Sequence, residues 1–178
     1  MRGPEANERL TATTAIALLV LLAVEGVTIV FLRPLLSVHM FVGVLLIPPV
    51  ALKLASVGWR FARYYRGDPA YRSAGPPWLP MRLLAPLLAA STAAVFATGV
   101  TLLFLGRAHS GFVLGLHKAS FVVWLVVATP HILTYVWRIP RLALRGRRLA
   151  LYGVVLTTVL VGLALALETM PFEERWLG

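Results

Sequence analysis

Six ionisable side chains interrupt apolar runs of this sequence: Glu25, His39, Lys53, His117, Lys118 and His131. A charge inside a membrane span costs on the order of several kcal/mol, so each of the six is a candidate for function. His39 lies just inside one end of its run, and His117 just inside the corresponding end of another. At the helical rise both sit roughly 5–9 Å below the same boundary. Two neutral imidazoles opposed at matched depth can hold a haem iron from its two faces. Gly43, four residues after His39 and so on the same helix face, leaves room for a porphyrin edge. The competing reading is a pair of helix-end histidines bonded to backbone or lipid.

A second regularity links the same two runs. His117 and His131 are fourteen residues apart, as are His39 and Lys53. On a helix that interval returns to within about 40° of the same face, about 21 Å further along. Lys53 therefore stands where a histidine would complete a second pair with His131. A lysine ligates iron only when neutral; otherwise its stem lets the ammonium reach the headgroups. Glu25 could pair with a histidine, carry protons, accept a hydrogen bond from a quinol, or make a structural contact. Lys118 points about 100° away from His117, toward the membrane boundary. His109 falls in a connection rather than a span.

The elements that must position these groups are apolar helices. The 178 residues are 59% hydrophobic and 13% charged, with a mean hydropathy of +0.82. Runs of about 18 or more apolar residues mark membrane spans. They fall at about 11–32, 36–57, 81–105, 111–137 and 149–167, with connections at 58–80 and 138–148. The expectation is one all-α membrane domain over 1–178, a polytopic bundle of five transmembrane helices. The N-terminal arm (Arg2, Glu5, Glu8, Arg9) reads as loose, and Pro48, Pro49 and Pro86 as kinks. Gly26, Gly99 and Gly162 read as close-packing positions.

Charge then orients the bundle. Arg60, Arg63, Arg66, Arg72 and Arg82 cluster between spans two and three, and Arg138, Arg141, Arg145, Arg147 and Arg148 between four and five. Lysine and arginine mark cytoplasmic loops, which places the N-terminus inside, the C-terminus outside, and His39 and His117 near the outer face. Trp59, Trp78, Trp137 and Trp176 lie at span ends, where amphipathic rings prefer the headgroups. The formal charge of +10 is thus a topology signal rather than a nucleic-acid footprint. Absent cysteines exclude thiolate metal sites and iron–sulfur clusters. There is no phosphate-cradling loop, zinc-protease motif or nucleophile elbow.

Histidines about fourteen residues apart on bundle helices resemble those of di-haem membrane cytochromes b. The resemblance extends to His39, Gly43, Pro48-Pro49-Val50 and Leu52-Lys53-Leu54, to Arg63-Tyr64-Tyr65-Arg66-Gly67-Asp68-Pro69, and to Leu116-His117-Lys118-Ala119-Ser120-Phe121. Together these look like the bacterial cytochrome b-like proteins, the small subunits of membrane oxidoreductases, over roughly residues 36–137. The resemblance implies haem b, electron transfer within the plasma membrane, and a redox partner protein or the quinone pool. It makes the chain an electron-transfer subunit rather than a complete enzyme. His39 and His117 would be the axial ligands of one haem; lysine at position 53 departs from the four-histidine pattern that a second haem needs. The alternative class is a non-redox scaffold or assembly protein on a bundle that has lost one or both haems.

Overall fold

The computed structural model describes residues 3–76, 78–144 and 149–177, the side chains of 142–144 excepted. Arg2, Pro77, Arg145, Arg147 and Arg148 lie outside the described residues. Among the described residues every regular element is helical. They are α1 (Pro4–Val30), α2 (Leu32–Tyr65), α3 (Pro69–Ser73), α4 (Leu79–Leu105), α5 (Gly111–Tyr135), α6 (Ile139–Leu144), α7 (Leu149–Thr169) and α8 (Glu174–Leu177). Short 3-10 turns occupy Arg107–His109 and Met170–Glu173. Helices α1, α2, α4 and α5, and the stretch from Leu149 to Leu177, are long and apolar enough to cross a membrane. A 25-residue helix is about 38 Å long, more than the ~30 Å hydrocarbon layer requires. The protein is a multi-pass membrane bundle.

Local chemistry sets the helix ends. Pro4 and Pro69 stand in first turns, where a missing N–H costs nothing. Asp68 caps α3 by accepting from the Ala70 N–H at 2.9 Å. Gly106 ends α4 at φ 68°, a backbone region in which a side chain is strained. Threonines within the spans donate back along their own helix, as Thr14 does to Leu10, Thr101 to Ala97 and Thr129 to Leu125. No hydroxyl of these three is left bare to lipid.

One expectation is corrected. The N-terminal arm is helical from Pro4, with Ala6 and Leu10 buried and the Asn7 amide donating to the Ser56 carbonyl at 3.0 Å. Pro48, Pro49 and Pro86 keep helical backbone angles, as prolines at helix kinks can. Within α2 the departure falls at Leu35 (φ −112°, ψ 19°), one residue past Pro34. Helix α2 runs on to Tyr65, beyond the predicted end of its span, before the short α3 turns the chain back. Arg63 pairs there with Asp68 and lies 5.6 Å from the Trp59 ring, while Arg82 donates to the Tyr65 hydroxyl.

Helices α1, α2 and α7 pack as one body, and α4 with α5 as a hairpin. The hairpin meets the body chiefly where α4 crosses α2. There Leu103 joins Val44, Leu45 and Ala166, and Phe96 packs on the cluster of Leu18, Val42 and Leu46. Helix α5 is peripheral, with only 6% of its most apolar stretch buried. Its outward residues, Phe112, Val122, Val126 and Leu133, are those a bilayer would cover. On α7, Gly162 lies against the Leu45 backbone so closely that a Cβ would run into the Leu45 carbonyl oxygen. Close approach through small residues is how membrane helices gain packing energy without a hydrophobic drive.

Candidate functional site

The antiparallel pairing of α1 with α2 gives the bundle two different ends. At one, Asn7, Thr11, Lys53 and Ser56 form a hydrogen-bonded cluster beside the arginine-bearing end of α2. At the other, Glu25 on α1 meets His39 on α2. The Glu25 carboxylate accepts from His39 Nδ1 at 2.8 Å, with both side chains largely buried. Thr28, three residues along α1, places its hydroxyl 3.2 Å from the same Nδ1. That hydroxyl donates to the Glu25 backbone carbonyl at 2.7 Å, so the carboxylate is the acceptor that fixes the imidazole.

His117 on α5 is held in the same way by a different group. Its Nδ1 lies 3.0 Å from the Thr98 hydroxyl of α4. Thr98 already spends its proton on the Ala94 and Val95 carbonyls, at 2.7 and 3.0 Å. With that proton on a carbonyl, its oxygen is free to accept from a proton on His117 Nδ1. By the same logic His39 carries a proton on Nδ1 toward the carboxylate. A neutral ring with its proton on Nδ1 leaves Nε2 bare, the tautomer in which imidazole is a metal ligand.

The two rings face one another across the gap between the body and the hairpin, with centroids 6.4 Å apart and planes at 70°. Imidazole nitrogens bind a metal at about 2 Å. A ring centroid lies about 1.1 Å behind its nitrogen, so two imidazoles bound on opposite sides of one ion would have centroids roughly 6.3 Å apart. A cavity of about 540 Å³ runs past both rings, lined by α1, α2, α4 and α5. Its volume is in the range of cofactor pockets, about 300–1,000 Å³, and its lining is mostly apolar. Gly26, Gly43 and Gly99 open into it from three helices. A Cβ on Gly43 would come 3.7 Å from the Glu25 carboxylate, and one on Gly99 would press on His117 Cε1 at 3.2 Å. Gly99 is thus what lets α4 lie beside the His117 ring.

The remaining predicted site residues fall elsewhere. The Lys53 ammonium donates to the Thr11 carbonyl of α1 at 2.8 Å. His131 packs against Tyr135 with ring centroids 5.0 Å apart, and its Nδ1 is buried without a partner among the described residues. Neither lines the cavity. Lys118 is exposed yet borders the cavity beside His117. His109 sits in the 3-10 turn after α4.

Three contributors were not singled out from the sequence. Thr28 and Thr98 hold the imidazoles, and Trp176 lines the cavity from the C-terminal tail. The tail is tied down by Trp176 Nε1 donating to the Leu102 carbonyl at 3.0 Å and Arg175 to that of Phe104 at 2.9 Å. The spacing of Thr28 after Glu25 was a usable signal, since residues three apart share a helix face. Among the described residues, no group of three or more His, Asp or Glu side chains comes together as a cage for a metal ion. The donor set is two neutral imidazoles, which suits a metal whose other ligands come from a macrocycle. Against known families, curated proteins and solved structures, the chain matches none.

Proposed function

We propose that this protein is a haem b-binding electron-transfer protein of the plasma membrane, the cytochrome b subunit of a membrane oxidoreductase. The observation that carries the reading is the pair of imidazoles 6.4 Å apart, each committed through Nδ1 and each lining one apolar cavity. Haem would supply one-electron exchange there. His39 and His117 would hold the iron, while Glu25, Thr28 and Thr98 orient the two rings and the apolar walls exclude water. Lys53 is committed to Thr11, so the proposal is for one haem. Its electron partner would be a redox subunit or the quinone pool. The arginine-rich connections support a cytoplasmic N-terminus, which would put the haem near the outer face.

The competing reading, a non-redox scaffold, draws on the same bonds. Glu25 to His39 joins α1 to α2, and Thr98 to His117 joins α4 to α5, without any cofactor. A reduced-minus-oxidised absorption spectrum of protein purified after haem-replete expression separates the two. The cytochrome shows a haem b α-band that is lost on either His39→Ala or His117→Ala. A purified, folded protein with no α-band overturns the proposal and favours the scaffold.

A further inference from the structure

The two imidazoles are alike in tautomer but unlike in what holds them. His39 donates to a carboxylate at 2.8 Å, and His117 to a neutral hydroxyl at 3.0 Å. We infer that Glu25 sets the electron affinity of the site through His39, making it the strong, anion-backed ligand and His117 the weak, neutral-backed one. The inference rests on the haem proposal and goes beyond it.

The physical reason is a relay of charge through one ring. A carboxylate that accepts from Nδ1–H draws the proton toward itself and raises the basicity of Nε2. Its negative charge also favours the ferric ion over the ferrous one, because the ferric ion carries one more positive charge. Thr98 can do neither, since its oxygen is uncharged and its own proton is fixed on the Ala94 and Val95 carbonyls. The charge at Glu25 is well placed to act, its side chain being 13% exposed within an apolar wall. The other ionisable groups at the cavity are His39 and His117 themselves and Lys118 at its edge. Of these, only Lys118 could offset the carboxylate, and it is solvent- or lipid-exposed. The Thr28 hydroxyl lies 3.3 Å from Glu25 Oε2 and 3.2 Å from His39 Nδ1, beside both members of the pair. Glu25 is thus a positioning residue that acts on the iron through His39.

The test is the midpoint potential of the haem in four proteins. Glu25→Gln keeps the size and an acceptor oxygen but removes the charge. A charge bonded to Nδ1 would stand on the order of 7 Å from a metal held at Nε2 of the same ring, and at an effective dielectric of about 20 would shift the ferric–ferrous equilibrium about ten- to fiftyfold. At 59 mV per tenfold for one electron, that raises the potential by about 60–100 mV. Glu25→Asp retains the charge and returns most of the shift. Thr98→Val removes only a hydroxyl and moves the equilibrium less than threefold. Infrared difference spectra of wild-type protein carrying carbon-13 glutamate, taken between the two redox states, show a carboxylate band that moves with the label.

Absence of haem from the wild-type protein removes the cytochrome proposal itself. Haem present with Glu25→Gln within twofold of wild type overturns this inference and leaves that proposal standing. If Glu25→Gln does not retain haem, the wild-type infrared spectrum decides. A labelled band that moves supports the inference, and a spectrum without one overturns it.

Discussion

Replacing Gly162 by alanine tests the packing on which the whole arrangement depends. A Cβ at this position meets the Leu45 carbonyl oxygen head-on, and would stand only 3.1 Å from its carbon and 3.2 Å from the Leu45 Cα. Ordinary contact begins near 3.4 Å. The obstacle is backbone in the middle of α2, so no side chain can swing aside. Helices α2 and α7 must separate, and a gap of 0.5–1 Å forfeits roughly a quarter to a half of each dispersion contact along the seam. Overpacking of this kind costs about 1–3 kcal/mol. Alanine also gains up to about 1 kcal/mol of helix propensity over glycine, which would mask part of the loss. Gly153→Ala on the same helix removes that ambiguity, because nothing lies within 4 Å of its added Cβ. Reversible unfolding in mixed detergent micelles should therefore place Gly162→Ala about 1–3 kcal/mol below Gly153→Ala, roughly a 5- to 150-fold difference in unfolding constant. Equal stabilities for the two variants would refute the close crossing of α2 and α7.

Lys53→Met removes an ammonium that donates to Thr11, together with the cost of keeping it among apolar neighbours. These terms oppose one another, so stability should change by no more than about 1 kcal/mol. The haem spectrum should not change at all, and an altered spectrum would return Lys53 to the ligands. Orientation can be read by labelling, because the chain has no native cysteine. Ala108→Cys and Ser73→Cys, both exposed, should react with a membrane-impermeant maleimide from outside intact cells and only in inverted vesicles, respectively. The reverse pattern would overturn the proposed topology.

The five spans were legible because lipid imposes a simple rule, that a long apolar run must be a helix. The rule fails at the run's ends, where helix and apolarity part company. Helix α2 continues through Arg60 and Arg63 to Tyr65, because nothing in the backbone ends a helix where the hydrocarbon ends. Helix α1 likewise starts in a polar stretch, where Asn7 finds the Ser56 carbonyl across the interface. The juxtaposition of His39 with His117 could be read from matched depth on two parallel spans. Their hydroxyl partners could not. A threonine in a span usually satisfies itself on its own helix, as Thr14 and Thr101 do. That Thr28 and Thr98 also take an imidazole depends on which helices are neighbours. Trp176 read as an interface anchor, because the return of the tail onto α4 is a tertiary event with no local signal.

The placement of the two histidines has a structural consequence of its own. His39 belongs to the body of α1, α2 and α7, and His117 to the hairpin of α4 and α5. The bonds to Glu25 and Thr98 each stay within one of these parts, so they orient the rings without joining the parts. Among the described residues, what crosses between them includes apolar contact of Leu103 and Phe96 with α2, the bond from Arg82 of α4 to Tyr65 of α2, and the tail bonds from Arg175 and Trp176 to α4. Helix α5 is reached by none of these, which leaves it the least buried of the five spans. On the cytochrome proposal, iron held by His39 and His117 would be the one strong link from α5 to the body. The cofactor would then complete the bundle as well as serve it, in a cavity walled by apolar side chains and opened by Gly26, Gly43 and Gly99.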